Sequence, residues 1–356
     1  MKIVLSFIFT LLLVGFVAHL MFSQHIARVN IQNASATTDT TNTLDEVSYV
    51  SPISIAYLRS LIFEADAPKN VQTLDPGSNY SRTIVSYQSE GNTIYGLLTI
   101  PQGPMPPGGF PAIVFNHGYI PPQQYQTTEG YIAYVDALAR NGFVVFKIDM
   151  RGHGQSEGVA TGSYFSSAYT IDAIHALKSL QKHPQVSPKR IGMWGHSMAG
   201  NLVLRALLTS DEIRAGVIWA GAVYSYEDFA KYRLNDGSYV PRPTTTTQPQ
   251  PNREASVNIQ TLRTSPESVD FQSPFWKSIS LTANINYLNA PLQLHHATDD
   301  AVVSVRYAQD LAEALEKSDK VYELHTYSTG GHNITSPSFE PAMDRTIAFF
   351  STHLAP

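Results

Sequence analysis

Short apolar runs alternate with helix-length amphipathic stretches over most of the chain after about residue 82. The apolar runs read PAIVFNHG, GFVVFKID, RIGMWGHS, AGVIWAG, APLQLHHA and VYELHTY. Between several of them lie stretches of helical periodicity, such as GYIAYVDALARN, TIDAIHALKSLQKH and VRYAQDLAEALEKS. Apolar strands without polar alternation, separated by helices, indicate a mostly parallel sheet that is covered on both faces. The pattern therefore predicts an α/β fold with a mostly parallel central sheet and helices on both faces.

The two ends of this pattern predict further elements. RTIVSYQS and TIYGLLTI are separated by Glu90-Gly91-Asn92, a hairpin signal that adds antiparallel strands at one edge of the sheet. The stretch at 53–64, ISIAYLRSLIFE, is compatible with a short helix or with a strand. A last helix is predicted from about Phe339 to His353. Its apolar face comprises Phe339, Met343, Ile347 and Phe350.

One long interval breaks the rhythm between VIWAG and NAPLQLHH, an insertion at about 222–285. It contains the run YVPRPTTTTQPQPNREAS, which is typical of a mobile surface loop. Open α/β sheets bind ligands beyond the carboxyl ends of their strands, where this insertion would lie, so we expect it to be a lid. Its aromatic residues are compatible with a substrate pocket or with a small core of the insertion itself. They are Tyr224, Tyr226, Phe229, Phe275 and Trp276.

The N-terminal region predicts a membrane-targeting segment and a tether. Residues 1–23 carry Lys2 and about twenty mostly apolar residues, long for a signal peptide and suited to a bilayer span. Ala34-Ser35-Ala36 has a cleavage pattern but lies well past the apolar run. An uncleaved anchor, a cleaved signal and a buried helix are the alternatives; the first two imply an extracytoplasmic domain, membrane-anchored or secreted. Residues 24–50 are polar and predict a flexible tether to an α/β domain at 51–356.

Composition and charge exclude several classes of function. The net charge of −5 is mild and gives no basic footprint for a nucleic-acid partner. The 356 residues include no cysteine, which excludes disulfides, thiolate metal sites and a cysteine nucleophile.

The joint between a predicted strand and a predicted helix carries the first candidate catalytic residue. In Gly195-His196-Ser197-Met198-Ala199-Gly200, small residues flank one serine on both sides. A nucleophile elbow needs such neighbours, because its sharp turn holds the serine hydroxyl clear of the backbone. A serine that only caps the helix is the alternative interpretation.

Further motifs extend this signal over roughly residues 82–356. NHGY, DMRGHGQS, GHSMAG, HATDDAVVSV and GGHN occur in this order, each after a predicted strand. With these motifs the chain resembles an α/β-hydrolase, and specifically the catalytic domain of the prolyl oligopeptidase family of serine peptidases. The resemblance implies a Ser-Asp-His triad in that chain order. The chain departs from the family at Ala199, where the family has a second glycine.

The general base is predicted in the last strand-to-helix loop. His332 in YSTGGHNITSP follows the predicted strand VYELHTY, and its glycines let the loop approach Ser197. A neutral imidazole suits general-base catalysis because its pKa lies near the operating pH.

The acid of the triad is one of two adjacent carboxylates, Asp299 and Asp300. In the family an aspartate follows His-Gly-Thr-x and precedes x-Val-Val-Pro-Val, and the stretch 296–305 fits this pattern best with Asp300 as that residue. The chain departs from the pattern at Ala297 and Ser304. The resemblance thus implies that Asp300 orients His332, whereas Asp299 is an exposed or neighbouring carboxylate.

The oxyanion hole is predicted from two backbone amides. Met198 opens the helix after Ser197, so its N–H is one candidate donor. The resemblance implies the N–H of Tyr119 as the second donor, and we interpret His117 as a packing residue under that loop. The motif DMRGHGQSEG is interpreted as a hydrogen-bonded loop scaffold rather than as catalytic machinery. The scaffold residues are Arg151, His153 and Ser156.

A metal site is the rival interpretation of the cluster that contains His295, His296, Asp299 and Asp300, because such residues bind zinc or calcium. Adjacent histidines at a strand end point to opposite faces, so they rarely ligate one ion. The sequence therefore predicts neither a metal nor a cofactor.

These residues together predict a serine hydrolase that cleaves a peptide or a small ester through an acyl-enzyme. The resemblance favours a serine-type peptidase. Fewer than about sixty residues separate the apolar segment from the first predicted strand, too few for a propeller domain whose blades take about forty residues each, and this tolerates a carboxylesterase. A non-catalytic binding protein of the same fold is the alternative from another class.

Overall fold

The computed structural model describes residues 51–232 and 253–356, which are organised around a twisted mixed sheet. Within these residues the sheet has nine strands in the order β1-β2-β3-β5-β4-β6-β7-β8-β9. The strands are β1 (Lys69–Leu74), β2 (Tyr80–Ser89), β3 (Asn92–Pro101), β4 (Phe110–Asn116), β5 (Val144–Ile148), β6 (Val186–His196), β7 (Gly216–Trp219), β8 (Leu292–Ala297) and β9 (Tyr322–Tyr327). The strands from β4 onward pair in parallel, whereas β1, β2 and β3 are antiparallel to their neighbours.

Helices follow or connect most of the parallel strands. They are α1 (Ile55–Ser60), α2 (Ile132–Arg140), α3 (Ala168–Gln181), α4 (Met198–Thr209), α5 (Tyr226–Tyr232), α6 (Arg253–Thr264), α7 (Pro274–Ile279), α8 (Arg306–Lys317) and α9 (Phe339–His353). Two short 3₁₀ turns lie at Pro266–Ser268 and Thr282–Tyr287. The amphipathic stretches of the sequence became α2, α3, α8 and α9, and 53–64 formed the helix α1 rather than a strand.

The central strands bury both of their faces, as the runs without polar alternation predict. Along β4, Val114 packs into one core cluster, whereas its neighbours Ile113 and Phe115 pack into the other. On the first face α3, α4 and α8 contribute apolar side chains, and on the second face α2 and α9 do so. Met343 and Phe350 of α9 are buried, and Phe339 and Ile347 pack against the same cluster. The predicted apolar face of the last helix is therefore confirmed.

The strand order changes direction beside β4. The chain runs from β4 through α2 to β5 on one side, and then through α3 to β6 on the other side of β4. Such a switch point opens a crevice at the carboxyl ends of the two flanking strands, where ligands bind in open α/β sheets. The register pairs Asn116 of β4 with Gly195 of β6, so the chains that leave these two strands emerge side by side.

The edge of the sheet holds one element that the hydrophobic pattern misses. The strand β1 has five exposed positions out of six and the polar sequence KNVQTL, and among the described strands it pairs only with β2. The predicted hairpin is present as β2 and β3, with Glu90 at φ 48° and Gly91 at φ 79° in the turn. Two consecutive positive φ values are typical of the tight turns that match the twist of paired strands.

The insertion between β7 and β8 contains α5, α6, α7 and both 3₁₀ turns. Residues 233–252, which include most of the proline- and threonine-rich run, lie outside the described part of the chain. The aromatic residues on either side of this run join the main core rather than forming a separate one. Tyr224, Tyr226, Phe229 and Trp276 are buried in the first core cluster, and Phe275 packs against it. The function of this insertion as a lid stays a prediction.

The predicted anchor or signal at 1–23 and the predicted tether at 24–50 lie outside the described residues. Among the helices of 51–232 and 253–356, none combines the length and the apolar character needed to cross a bilayer. Membrane attachment through the N-terminal segment therefore stays a prediction.

Candidate active site

Ser197 lies at the sharp turn between β6 and α4. Its backbone adopts φ 56° and ψ −121°, a region that L-residues rarely occupy outside strained functional turns. The Ser197 amide donates to the carbonyl of Trp219 on the adjacent strand β7 at 2.9 Å, which anchors the turn to the sheet. Ser197 thus has the strand-turn-helix geometry that the elbow motif predicts.

The small neighbours of Ser197 are required by close approach of the backbone. A Cβ on Gly195 would lie 2.6 Å from the carbonyl oxygen of Ala199, and a Cβ on Gly200 would lie 2.7 Å from the Cα of Gly221. Both distances are shorter than side-chain carbons tolerate, so a larger residue would force the turn open. Ala199, which stands where the prolyl oligopeptidase pattern has a glycine, is fully buried in this turn.

His332 reaches Ser197 from the histidine loop, defined here as residues 328–338 between β9 and α9. The Ser197 hydroxyl and His332 Nε2 are 2.8 Å apart. On the other side of the ring, His332 Nδ1 lies 2.8 Å from the Oδ2 atom of Asp300. Because a carboxylate can only accept, Nδ1–H donates to Asp300, and Nε2 is left to accept from the serine hydroxyl.

Asp300 lies just beyond β8, with a side chain that is 0 % exposed. Its Oδ1 atom accepts the amides of Val302 at 2.8 Å and Val303 at 2.9 Å. His296 Nε2 is 3.2 Å from Oδ2. Burial alone would raise the pKa of Asp300, but the contacts with His296 and His332 and the backbone donors lower this pKa well below its usual range. The carboxylate therefore stays ionised beside the imidazole.

Asp299 faces solvent and binds the histidine loop by its backbone instead. Its two oxygens accept the amides of Gly331 at 2.8 Å and Gly330 at 3.2 Å. The amide of Gly331 is the principal cause that lowers the pKa of this carboxylate. The structure thus brings Asp300, and not Asp299, to the imidazole of His332, and it leaves Asp299 holding the loop that carries this histidine.

The two predicted oxyanion donors follow adjacent strands. Met198 is the first residue of α4, so its amide belongs to the first-turn donors without an intrahelical acceptor. Tyr119 belongs to the oxyanion loop, defined here as residues 117–119, which leaves β4 beside Ser197. Within the described residues, neither amide donates to a protein acceptor. Both amides are thus available at the switch point beside the serine.

The first residue of the oxyanion loop, His117, turns its side chain into the protein interior. His117 is 0 % exposed and stacks on Tyr125, with ring centroids 4.4 Å apart. Burial holds the pKa of His117 well below its usual value, so the ring is neutral at ordinary pH. This position agrees with a packing role rather than with proton transfer to a substrate.

The side chains of the motif DMRGHGQSEG contact neighbouring elements of the fold. The Arg151 guanidinium pairs with the buried carboxylate of Asp172 at 2.6 Å, and Ser156 Oγ accepts the amide of Tyr95 at 2.9 Å. The ring of His153 packs edge-on against that of His117 in the oxyanion loop, with centroids 5.1 Å apart. These contacts support the interpretation of the motif as a scaffold.

Two residues that bridge the site were not singled out from the sequence. They are Tyr131, just before α2, and His196, at the end of β6. Tyr131 is hydrogen-bonded to Gly118 of the oxyanion loop and to His196, and His196 is hydrogen-bonded to the backbone of His332. The histidine in GHSMAG was the only signal for this arrangement, because its partners are far away along the chain.

The rival metal site finds no support in the described residues. No group of three potential ligands among 51–232 and 253–356 is arranged to hold a metal ion. The two adjacent histidines have different partners: His295 contacts Tyr327 at 2.8 Å, whereas His296 contacts Val303 at 2.9 Å.

A pocket of about 390 Å³ lies between the insertion and α8. It is lined by side chains that include Tyr226, Asp228, Trp276 and Asp310, and neither Ser197 nor His332 lines it. Of the five insertion aromatics, Tyr226 and Trp276 thus also line a cavity whose lining does not include the candidate catalytic serine.

Comparison with known sequences agrees with the geometry. The family model described as "Serine aminopeptidase, S33" matches residues 111–338. The chain is 26% identical over 263 residues to "Uncharacterized peptidase YtmA" of Bacillus subtilis (strain 168), which covers 72% of this chain and 88% of that protein.

Comparison with solved structures shows the same fold. Porphyromonas gingivalis dipeptidyl peptidase 4 has a TM-score of 0.58 at 19% identity, with 77% of this chain and 36% of that chain covered. The chain thus spans about a third of that peptidase. An acetyl xylan esterase from Paenibacillus sp. R4 has a TM-score of 0.59 at 20% identity, with 83% and 91% covered. The predicted α/β-hydrolase fold is confirmed, and the chain belongs to the serine aminopeptidase (S33) family of serine hydrolases.

Proposed function

We propose that the chain is a serine-type peptidase in which Ser197 is the nucleophile, His332 the general base and acid, and Asp300 the orienting carboxylate. The observation that carries this proposal is the continuous line of hydrogen bonds from Asp300 through His332 to Ser197, at 2.8 Å for each step. Nucleophile, base and orienting acid in mutual contact are the geometric signature of acyl transfer.

The first step forms the acyl-enzyme. Ser197 Oγ attacks the substrate carbonyl while its proton passes to His332 Nε2. The buried carboxylate of Asp300 stabilises the imidazolium that forms and holds its orientation. The amides of Met198 and Tyr119 donate to the developing oxyanion, and the imidazolium then protonates the leaving amine.

The second step releases the acyl group. Water enters the position that the leaving group has vacated, and His332 Nε2 removes a proton from it as it attacks the acyl carbon. The same two amides hold the second oxyanion, and the protonated His332 returns its proton to Ser197 Oγ. With these residues, the substrate and one water molecule, every proton and every bond of the two steps is accounted for.

The preference for a peptide bond is supported by the S33 family and by the relative of which 88% is covered, which is described as a peptidase. A carboxylesterase is the second candidate, because an esterase structure is matched over 91% of its length. Both candidates use the same triad and differ only in the leaving group that His332 protonates.

The full-length protein beside its Ser197→Ala variant separates these alternatives. We expect the variant to lose at least about 10⁴-fold in kcat while its circular dichroism spectrum is unchanged, because the nucleophile alone is removed. The substrates are a short-chain p-nitrophenyl ester and a panel of aminoacyl p-nitroanilides. Anilide turnover that disappears in the variant supports the peptidase, and ester turnover alone supports the esterase. Equal activity of the variant and the parent would overturn the proposal.

A further inference from the structure

A chain of three hydrogen bonds joins the oxyanion loop to the histidine loop. The amide of Gly118 lies 2.8 Å from the Tyr131 hydroxyl. The same hydroxyl lies 2.8 Å from Nδ1 of His196. At the far end, His196 Nε2 lies 2.8 Å from the carbonyl oxygen of His332. The two loops that carry the predicted second oxyanion donor and the predicted base are therefore connected through two side chains.

The direction of every bond in this chain is fixed by its ends. A backbone N–H at Gly118 can only donate, so the Tyr131 oxygen accepts there and its own hydrogen is free to donate to His196. The carbonyl of His332 can only accept, so Nε2 of His196 carries the hydrogen. His196 is thereby held as the neutral tautomer that accepts at Nδ1 and donates at Nε2.

The surroundings of His196 favour the same neutral state. The side chain is buried, and its ring centroid is 4.8 Å from that of His332. Burial, followed by the neighbouring His332, lowers the pKa of His196 to about 3. His196 therefore does not compete for the proton that His332 carries during turnover.

The position of Tyr131 is tightly constrained. Its backbone adopts φ 55° and ψ 21°, the left-handed region that a bulky residue occupies only when its surroundings hold it there. Its ring packs edge-on against Phe115 with centroids 5.6 Å apart. A Cβ on Gly118 would lie 2.7 Å from the Tyr131 hydroxyl and 3.0 Å from His196 Nδ1, so the loop backbone seats directly on the two side chains.

We propose that Tyr131 and His196 are positioning residues that hold the Tyr119 amide and the His332 imidazole in one fixed relation. This inference rests on the proposed function of Ser197, His332 and Tyr119. The Gly118 amide lies in the peptide plane directly before the plane that carries the Tyr119 N–H, so holding this amide limits how far the oxyanion donor can move. His196 holds the main chain of His332 while Asp300 holds its ring, so the imidazole has neither freedom to translate nor freedom to rotate.

The consequence for catalysis lies in the transition state. Preorganised donors act without reorganisation at the moment of reaction, and a displacement of about 1 Å costs up to about 10²-fold in rate. Loosening either loop should therefore lower kcat and leave ground-state binding of the substrate nearly unchanged.

The test uses the full-length protein and p-nitrophenyl acetate as the probe. Tyr131→Phe removes the hydroxyl that joins Gly118 to His196. His196→Phe keeps an aromatic ring but removes both nitrogens, whereas His196→Gln restores one acceptor and one donor in a neutral side chain. Tyr80→Phe is the matched control, because the Tyr80 hydroxyl donates to Asp136 of α2 at 2.9 Å, outside this chain of bonds. All rates are measured at a temperature at which circular dichroism shows each variant folded.

We expect Tyr131→Phe and His196→Phe to lower kcat by roughly ten- to a hundredfold with KM within about twofold of the parent. The double variant Tyr131→Phe/His196→Phe should have a kcat no lower than that of the slower single variant, because both changes break the same chain of hydrogen bonds. His196→Gln should recover most of the loss seen with phenylalanine, and Tyr80→Phe should match the parent.

Two results would overturn this proposal. One is turnover by Tyr131→Phe and His196→Phe within about twofold of the parent, in a protein that Ser197→Ala inactivates. The other is an equal loss for glutamine and phenylalanine at position 196, which would assign the effect to packing alone. If instead Ser197→Ala is as active as the parent, the proposed function itself fails, and this outcome is recognised before any loop variant is measured.

Discussion

Asp299 and Asp300 are consecutive and chemically identical, yet they lie in opposite surroundings at the end of β8. The side chain of Asp300 is 0 % exposed and accepts from the imidazole of His332. The side chain of Asp299 faces solvent and accepts the amides of Gly330 and Gly331. One carboxylate holds the ring of the predicted base, and the other holds the loop from which this ring projects.

The difference shows that the turn, rather than the residue type, assigns the role. Asp300 accepts the amides of Val302 and Val303, and these bonds turn its carboxylate inward toward His332. Asp299 precedes that turn and points outward. A carboxylate that accepts several fixed hydrogen bonds remains ionised and rigid in spite of its burial, which suits an orienting acid.

The largest effect should follow a change at Asp300. Asp300→Asn keeps the shape of the side chain, but its amide can donate to His332 and favour the wrong imidazole tautomer. We expect kcat for p-nitrophenyl acetate to fall on the order of 10³- to 10⁴-fold without loss of the fold. Steady-state kinetics beside circular dichroism provide the measurement. A loss at Asp300 smaller than the loss at Asp299 would exchange the two assignments.

A change at Asp299 should have a much smaller effect. Asp299→Ala removes two exposed hydrogen bonds to the histidine loop but leaves the Asp300–His332 contact in place. We expect kcat to fall roughly three- to tenfold with KM nearly constant, because one hydrogen bond contributes about 1 kcal/mol and solvent replaces part of it. The comparison fails if Asp299→Ala raises KM and leaves kcat intact, since Asp299 would then contact substrate directly.

The two carboxylates should also differ in the dependence of stability on pH. The pKa of Asp300 in the folded state lies below its unfolded value, which is about 4. Its carboxylate therefore stabilises the fold fully above about pH 4, and this contribution is lost as the pH falls further. As the pH falls from about 4 to about 2, we expect the free energy of unfolding to decrease less in Asp300→Asn than in the parent. The difference between the two decreases should be on the order of 1–2 kcal/mol.

Urea unfolding at several pH values measures this difference. Asp299→Ala provides the matched comparison, because this variant removes a carboxylate that is exposed and that accepts from solvated backbone amides. Parallel pH dependences of the parent and Asp300→Asn would contradict an ionised, buried Asp300.

The sequence was sufficient for those features whose signal is local. Ser197 lies between small residues because the elbow brings backbone within 2.6 Å of a would-be Cβ, and that constraint is visible in the letters themselves. The central strands were predicted because both faces are buried. The strand β1 was missed because its side chains are exposed, so that its formation depends on pairing with β2 rather than on apolar patterning.

The contacts across the site could not be predicted in the same way. Tyr131 and His196 are 65 positions apart, and His196 and His332 are 136 apart, so no spacing rule links them. The choice between Asp299 and Asp300 rests on resemblance alone, because the residue types do not show which of two adjacent side chains a turn directs inward. The aromatic residues of the insertion were expected as a pocket or a local core, and they join the main core because they pack on the first face of the sheet.

The measurement that tests the central claim most directly is the mass of the enzyme after rapid mixing with p-nitrophenyl acetate and acid quenching. The account predicts a transient mass increase of one acetyl group, located by peptide mapping on Ser197 and absent from Ser197→Ala. Turnover without any acylated species, or an acetyl group on Ser197 that forms and decays more slowly than product appears, would contradict the account.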